Sequence, residues 1–256
     1  MENEKRGCAE VALHAAQNLS AHNFLPQAPS ATNSTSSNLS HNISQYLGSG
    51  QRPPTGQEIS FDFRFNYFQS FRRKGNIEAL AASENIEIGC LQLGFFLASW
   101  NMFRNSPLQR RSSKHYERLI KNVAQFDPTI WEIDVPDYRD AAKVSLLLDC
   151  GDKIAASLEH FTPLLKTKVM LAIFGNVPAF DSNFCLPEVG LRKNATFCAE
   201  SLKKILEFYN AHKNEIDTCK IPTLDFLTGQ PTNIQYSRAR IIDIFGYVEG
   251  GGDIST

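Results

Sequence analysis

The sequence predicts an all-α fold, in which a single globular multi-helix domain follows a disordered N-terminal leader. Three observations support this class. Apolar residues recur at helical spacing through most of the chain after residue 57. The alternating strand and helix pattern of an α/β protein is missing. Residues 11–51 contain no Lys, Arg, Asp or Glu. We therefore expect a leader over residues 1–57, a helical domain over residues 58–249 and a flexible tail over residues 250–256.

The leader is rich in Ser, Asn, Thr and Pro after a first apolar stretch at residues 9–19. Such a composition buries too little apolar surface to offset the entropy lost on ordering. We therefore expect disorder from Pro26 to Gly56. A targeting or partner-binding tail is the alternative interpretation of the same segment.

The first predicted helix of the domain is aromatic. Phe61, Phe65 and Phe68 share one helical face, and Gly75 follows a basic triplet that suits a helix C-terminus. The alternation of Phe61, Phe63 and Phe65 also fits a strand. The helical character of the remaining chain favours a helix here.

A second helix begins near Ser83 and carries the longest apolar segment, which has no charged residue from position 88 to position 103. This length falls short of the roughly 20 residues that a membrane span requires. Gly89 and Gly94 would allow neighbouring helices to approach closely. We expect the buried central helix of the fold, with a membrane span as the less favoured alternative.

Three further helices are predicted downstream. Tyr138 opens a long amphipathic helix that Gly151 interrupts, residues 196–212 form another helix, and residues 234–248 form the last. The segment punctuated by prolines and glycines near residues 222–231 is expected to be a loop.

The stretch from Lys166 to Cys185 is the most informative part of the chain. A nearly all-apolar helix follows an N-cap and first-turn pair at residues 162–163, and Gly175-Asn176 ends it. Pro178 prevents the helix from continuing. Asp181 is expected to cap a following helix that starts near Ser182.

Lys168 and Asp181 are the candidate catalytic residues. A desolvated lysine can be neutral near pH 7 and act as an amine nucleophile, while an adjacent carboxylate moves protons. The alternative is structural, and it is the more frequent fate of such residues: Lys168 extends to solvent and Asp181 caps a helix.

A basic segment supplies the candidate nucleic-acid contacts, which are Arg104, Arg110, Arg111, Lys114 and Arg118. The formal net charge is −1, so any contact with phosphates must come from such a local patch. A solvated loop and helix face is the alternative interpretation.

No cofactor and no metal site is predicted. The six cysteines form no CxxC pair, and the phosphate-binding, dinucleotide-binding, zinc-protease and serine-hydrolase motifs are missing. Asp149 and Asp152 flank Gly151, but no histidine or glutamate pattern accompanies them. Scattered cysteines suit a reducing compartment, and with no secretory signal recognised we expect a cytoplasmic protein with no membrane partner.

Three segments together resemble a family of uncharacterised bacterial proteins. They are LGFFLASWNMFR at residues 93–104, KVMLAIFGNVPAFDSNF at residues 168–184 and YSRARIIDIFGY at residues 236–247. The chain departs from the family pattern at Asn101, Ala172 and Arg240. This resemblance covers about the last two-thirds of the chain and implies family membership without an activity.

A fainter resemblance is to bacterial proteins with the fold of helix-hairpin-helix DNA glycosylases, some of which belong to phage defence. It rests on the spacing of Lys168 and Asp181 and implies that Lys168 is the nucleophile and Asp181 the activating carboxylate. DNA or RNA would then be the partner, and Trp100 and Phe180 would stack a flipped base in a pocket that also contains Asp243. The alternative is a non-catalytic interaction protein in which these lysine and aspartate residues stabilise buried helix junctions.

Overall fold

The structure, a computed structural model, describes residues 35–48, 52–158 and 162–252. Within these ranges the chain forms nine α-helices and one two-stranded sheet, which confirms the predicted all-α class. The helices are α1 (Thr35–Leu47), α2 (Ile59–Arg73), α3 (Ser83–Ser99), α4 (Glu117–Val123), α5 (Ala141–Ser157), α6 (Pro163–Ile173), α7 (Ala199–Ala211), α8 (Lys213–Thr218) and α9 (Arg238–Glu249). The strands are β1 (Pro222–Leu224) and β2 (Pro231–Gln235), and short 3-10 turns occupy several of the connections.

Helix α6 forms the centre of the core. Every residue from Thr167 to Phe174 is buried, and α2, α3 and α5 all pack against this helix. A helix that is apolar on most faces can bury all of them only when other helices surround it. Helix α2 spans the aromatic stretch, so the helical interpretation of that stretch is confirmed.

Helix α3 was expected to be the buried central helix, and this expectation is wrong for one of its faces. Gly89, Cys90 and Leu93 face the core, whereas Leu91 and Phe95 are 51% and 70% exposed. A charge-free sequence gives no indication of which face meets water. None of the described helices is both long enough and apolar enough to cross a lipid bilayer.

The expected disorder of the leader does not extend through residues 35–47, which form α1. Leu39, Ile43 and Tyr46 are spaced at i, i+4 and i+7 and are buried, and α1 packs against α9. The i, i+4, i+7 spacing gives one apolar helix face within a polar composition. Residues 1–34 and the end of the predicted tail, residues 253–256, lie outside the described ranges.

Helix α5 begins later than predicted and is not interrupted. Tyr138 belongs to a 3-10 turn at Val135–Arg139, and the Asp140 side chain caps α5 by accepting the N–H of Ala142. Gly151 lies inside the helix. A Cβ atom there would lie 2.8 Å from Lys166 Cδ and 3.0 Å from Phe197 Cε1, so a larger residue would displace the flexible Lys166 side chain and press on the Phe197 ring.

The predicted loop near residues 222–231 is an antiparallel hairpin, in which Pro222 pairs with Gln235 and Leu224 with Pro231. Ile234 therefore belongs to β2, and the last helix begins at Arg238. The two strands have only 3 and 5 residues, so neither is long enough to show a clear alternating pattern in the sequence.

Candidate active site

Helix α6 holds Lys168 at its buried centre, and its two ends are fixed as predicted. The Thr162 hydroxyl accepts the N–H of Leu165 at 3.1 Å. At the other end Gly175 has a φ of +70°, and its N–H donates to the carbonyls of Met170 and Leu171. The left-handed conformation at Gly175 turns the chain sharply away from the helix axis.

The corner after Gly175 is held by hydrogen bonds from distant elements. Asn176 donates its side-chain N–H to the carbonyl of Ile130 at 3.2 Å, and the Tyr138 hydroxyl donates to the carbonyl of Asn176 at 2.6 Å. The Gln69 side chain donates to the carbonyl of Ile173 at 3.1 Å. These bonds fix the direction in which the chain returns towards α6.

Two further hydrogen bonds set the position of Asp181. The Ala179 N–H donates to Asp243 Oδ1 at 2.8 Å, and the Phe180 N–H donates to Thr167 Oγ1 at 3.0 Å. Thr167 precedes Lys168 on α6, so the second bond joins the two segments directly beside the pair. The backbone before Asp181 is therefore attached to both α6 and α9.

Lys168 and Asp181 form a contact pair, with 3.0 Å between Lys168 Nζ and Asp181 Oδ2. Their side chains are 7% and 18% exposed, and Lys168 Nζ lies 5.0 Å from the Trp100 ring centroid. Burial alone would raise the pKa of Asp181, but the Lys168 ammonium and hydrogen bonds outweigh it and hold that pKa below its usual value. Asp181 does not cap a following helix. It accepts the N–H of Asn183 in a turn instead.

The pair lies in the wall of an open cleft of about 380 Å³. Three aromatic residues contribute to this cleft: Tyr46, Trp100 and Tyr247. The Tyr247 ring meets those of Tyr46 and Trp100 edge to face, at centroid distances of 6.4 and 6.3 Å. The remaining lining residues are Gln57, Glu58, Asn101, Met102, Leu164, Ser182 and Asn183. The lining combines aromatic rings with polar side chains, as in sites that bind small molecules.

A smaller recess of about 20 Å³ shares Tyr46, Trp100, Lys168, Asp181 and Tyr247 with the cleft. Its further lining includes a buried ion pair between Arg240 and Asp243. Arg240 also donates to the Tyr46 hydroxyl at 2.8 Å. Burial raises the pKa of Asp243, although Arg240 and Lys168 oppose this, and burial raises the pKa of Tyr46 to about 12.

Two of the three predicted pocket residues line the site. Trp100 lines both the cleft and the recess, and Asp243 lines the recess. Phe180 does not contribute to either. Its ring is buried against Phe184 and Phe197, with centroid distances of 5.7 Å in both cases. Phe180 therefore packs in the core, and its backbone N–H donates to Thr167.

The basic residues lie apart from the lining of the cleft. Arg104, Arg110, Arg111, Lys114 and Arg118 are all exposed, and none of them is among the cleft's lining residues in the described part of the chain. Lys114 pairs with Glu117 at 2.7 Å. These side chains are accessible to a partner but do not themselves form the pocket.

Sequence reasoning missed Tyr46, Tyr247 and Arg240. Tyr46 belongs to α1, in the segment whose composition predicts disorder, although its spacing from Leu39 and Ile43 indicates one helix face. Arg240 stands out in the sequence only as a departure from the family pattern, which indicates no role for it. Its role depends on Asp243, three residues later on the same helix face.

The described residues contain no cluster of three or more His, Cys, Asp or Glu side chains that could hold a metal ion. Asp149 and Asp152 pair instead with lysines, at 2.7 Å to Lys153 and 2.6 Å to Lys166. The cleft and the recess together present the amine of Lys168, the guanidinium of Arg240, the carboxylates of Glu58, Asp181 and Asp243, and aromatic walls.

The chain matches no protein-family model, no curated protein and no solved structure. The resemblances described above therefore rest on the quoted segments alone.

Proposed function

We propose that the protein is an amine-dependent enzyme of the DNA glycosylase and lyase type, with Lys168 as nucleophile and Asp181 as its proton acceptor. The observation that carries this proposal is the 3.0 Å pair of Lys168 and Asp181 in the wall of an aromatic cleft. A nucleophilic amine must lose a proton, and a carboxylate in direct contact can take it.

The reaction would use the walls of the cleft as well. A base flipped out of a nucleic acid would stack on Trp100, which brings C1′ of its sugar to the Lys168 amine. The amine forms a bond to C1′ while the bond between the sugar and the base breaks. The base leaves with that electron pair and takes up the proton that Lys168 had released to Asp181, which returns Asp181 to its carboxylate form.

The nucleic-acid partner, DNA or RNA, is the part of the proposal supported by the exposed basic residues. Arg104, Arg110, Arg111, Lys114 and Arg118 follow Trp100 closely in the chain and are accessible to phosphate groups. A cytoplasmic location and a role in repair or defence complete the proposal. The five cysteines in the described ranges are free.

Borohydride trapping tests the proposal. DNA with an abasic site carries an aldehyde, which condenses with an amine to an imine and water, and borohydride reduces the imine to a stable amine. We expect wild type to form this adduct and Lys168→Met to form none. Asp181→Asn should slow trapping by about 100-fold, the typical loss when a general base is removed.

Lys166→Met is the matched control for Lys168→Met. Lys166 lies on the same helix and also pairs with an aspartate, Asp152, at 2.6 Å, but it does not line the cleft. The Lys166→Met variant should be trapped as efficiently as wild type. Equal trapping by Lys168→Met and wild type would rule out the nucleophile role.

A non-catalytic interaction protein is the second candidate, and one observation favours it. Phe226 and Leu227 at the hairpin tip are 71% and 88% exposed. Leu91 and Phe95 on α3 are also largely exposed. Exposed apolar side chains of this kind occur at protein interfaces. Under this alternative, Lys168→Met lowers stability and changes no reaction.

A further inference from the structure

The outer side of α3 is apolar and faces water. Ile88, Leu91 and Phe95 are 46%, 51% and 70% exposed. They are spaced at i, i+3 and i+7, so their side chains form one stripe along the helix. Ala98 is also exposed and continues the stripe by almost one further turn. The described part of the chain therefore leaves one whole face of this helix without a packing partner.

Helix α2 connects this stripe with the exposed hairpin tip. On α2, the Asn66 side chain donates to the carbonyl of Leu224 in the hairpin, whereas the Tyr67 hydroxyl donates to a backbone carbonyl of α3. Phe63 precedes these two residues by three and four positions, so it lies on the helix surface between the hairpin and α3. Its ring meets that of Phe226 edge to face, at a centroid distance of 5.0 Å.

The stripe, Phe63 and the hairpin tip thus form one apolar face, and it includes every large hydrophobic side chain that is mostly exposed among the described residues. These are Ile88, Leu91, Phe95, Phe226 and Leu227. Single exposed apolar residues are common on protein surfaces, but a contiguous set of them marks a surface that binds another molecule.

The charges at the two ends of the stripe have opposite signs and indicate what that molecule is. Glu84 and Glu87 lie at the N-terminal end of α3, Arg104 follows its C-terminal end, and all three are exposed. Residues 88–103 between them carry no charge. A face that is acidic at one end and basic at the other is complementary to a copy of itself that runs in the opposite direction.

We propose that the apolar face binds a second copy of the chain across a two-fold axis, with the two α3 helices antiparallel. An axis near Phe95 brings Leu91 of each copy opposite the small Ala98 of the other copy, so that a large side chain meets a small one. The same axis brings Glu84 of each copy near Arg104 of the other at the rim of the interface. This inference does not depend on the proposed reaction.

The hairpin tip is covered by the same arrangement. A two-fold rotation that makes the helices antiparallel keeps both hairpins on the same side of the helix pair, so the two tips approach each other. Phe226 and Leu227 of one copy then contact the same residues of the other copy, as in any interface with two-fold symmetry.

Sedimentation velocity of the full chain tests the proposal. We expect wild type to approach, with rising concentration, a species of twice the 28.7 kDa of one chain. Leu91→Glu and Phe95→Glu should each raise the dissociation constant at least about 30-fold, as expected for central residues of an interface. Both side chains are exposed in the single chain, so the variants should keep the circular dichroism spectrum and urea midpoint of the wild-type monomer.

Two results would overturn the proposal of a second copy. One is a wild-type chain that remains monomeric up to about 100 µM, since a specific interface of this kind should associate below that concentration. The other is dimerisation of the folded Leu91→Glu and Phe95→Glu variants with the affinity of wild type.

Charge reversal at low ionic strength tests the antiparallel arrangement. Glu84→Arg and Arg104→Glu should each weaken dimerisation by about threefold, the loss typical of an exposed ion pair, and the double variant should recover wild-type affinity. Arg192→Glu is the matched control, because it reverses an exposed arginine that is not part of the proposed interface, and it should dimerise like wild type. A double variant weaker than both single variants would contradict the antiparallel arrangement.

Discussion

Lys168 and Asp181 are thirteen positions apart, and they meet because the side chains of Thr167 and Asp243 accept two backbone N–H groups between them. The Thr167 contact to Phe180 spans 13 positions and could be predicted from the sequence. The Asp243 contact to Ala179 spans 64 positions and could not be predicted from the sequence. The break at Gly175 and Asn176 was readable because both residue types tolerate the left-handed conformation. The meeting of the pair was therefore a reasonable prediction, whereas the residues that hold it in place could not be identified.

Arg64 is a buried cation whose guanidinium has few hydrogen-bond partners within the described residues. It is 1% exposed, with its guanidinium carbon 4.6 Å from the Phe61 ring centroid and 3.9 Å from that of Phe96. Its Nε and Nη1 atoms have no acceptor within the described ranges. Burial lowers the pKa of Arg64 well below its usual value, and nearby Arg240 lowers it further. Within the described ranges the Arg64 guanidinium contacts two rings and the Phe61 carbonyl, and the nearby Asp62 carboxylate offsets part of the cost of its burial.

Arg64→Met should stabilise the protein by about 1 kcal/mol or leave it unchanged. Removing a buried charge avoids a desolvation cost of several kcal/mol, which exceeds the roughly 0.5–2 kcal/mol of a cation–ring contact. Urea unfolding measures this change. Arg52→Met is the contrasting variant, because it removes the cation that pairs with the buried carboxylate of Asp62. This variant should lower the free energy of unfolding by about 3 kcal/mol. A similar loss in both variants would contradict this account of Arg64.

At the scale of elements, helix ends were more predictable than helix faces. The N-cap of α6 and the glycine after α2 follow from local chemistry, and both are where the sequence indicated. The exposed face of α3 depends on which neighbours arrive and was missed. Gly151 lies inside α5, and the side chains that crowd it, Lys166 and Phe197, come from other parts of the chain, so the sequence alone indicates a helix break there. The hairpin was missed because its two strands are too short to show an alternating pattern.

Helix α1 provides the clearest test at this scale, since it lies in a segment whose composition predicted disorder. Leu39 is 1% exposed, whereas His41 two residues later is exposed. Leu39→Ala should lower the free energy of unfolding by about 2–3 kcal/mol, as expected for a buried leucine. His41→Ala should change it by less than about 0.5 kcal/mol. Thermal or urea unfolding measures both variants, and equal small effects would show that α1 does not pack on the domain.

The junction of α8 and α9 predicts a pH dependence. Asp217 accepts hydrogen bonds from Lys213, Arg238 and Tyr209. The Lys213 ammonium, helped by Arg238 and opposed by slight burial, lowers the pKa of Asp217 to about 2. Because the pKa in the unfolded chain is about 3.9, the stabilisation is complete above that value and is lost as the pH falls through about 2.

Asp217→Asn should therefore be less stable than wild type at pH 6, and the difference should shrink steadily between pH 4 and pH 2. Denaturant unfolding across this pH range provides the measurement. A difference between the two proteins that stays constant with pH would mean that the charge of Asp217 does not stabilise this junction.

At the scale of the whole molecule, the chain has a formal net charge of −1 and a single core centred on α6. Its overall charge therefore does not attract nucleic acid, and approach would depend on the exposed basic residues that follow α3. The cleft lies where residues from α1, α3, α6 and α9 meet, since these helices supply Tyr46, Trp100 at the end of α3, Lys168 and Tyr247. A site assembled from four separate parts of the chain leaves only fragments in any local sequence pattern.

The central claim is that the Lys168 amine reacts, and locating the adduct in wild-type protein tests it most directly. The protein is incubated with abasic DNA and borohydride, the conjugate is digested, and mass spectrometry identifies the modified residue. We predict that the added mass lies on Lys168. Modification of exposed lysines such as Lys114 and Lys121 instead, or no conjugate at all, would contradict the account.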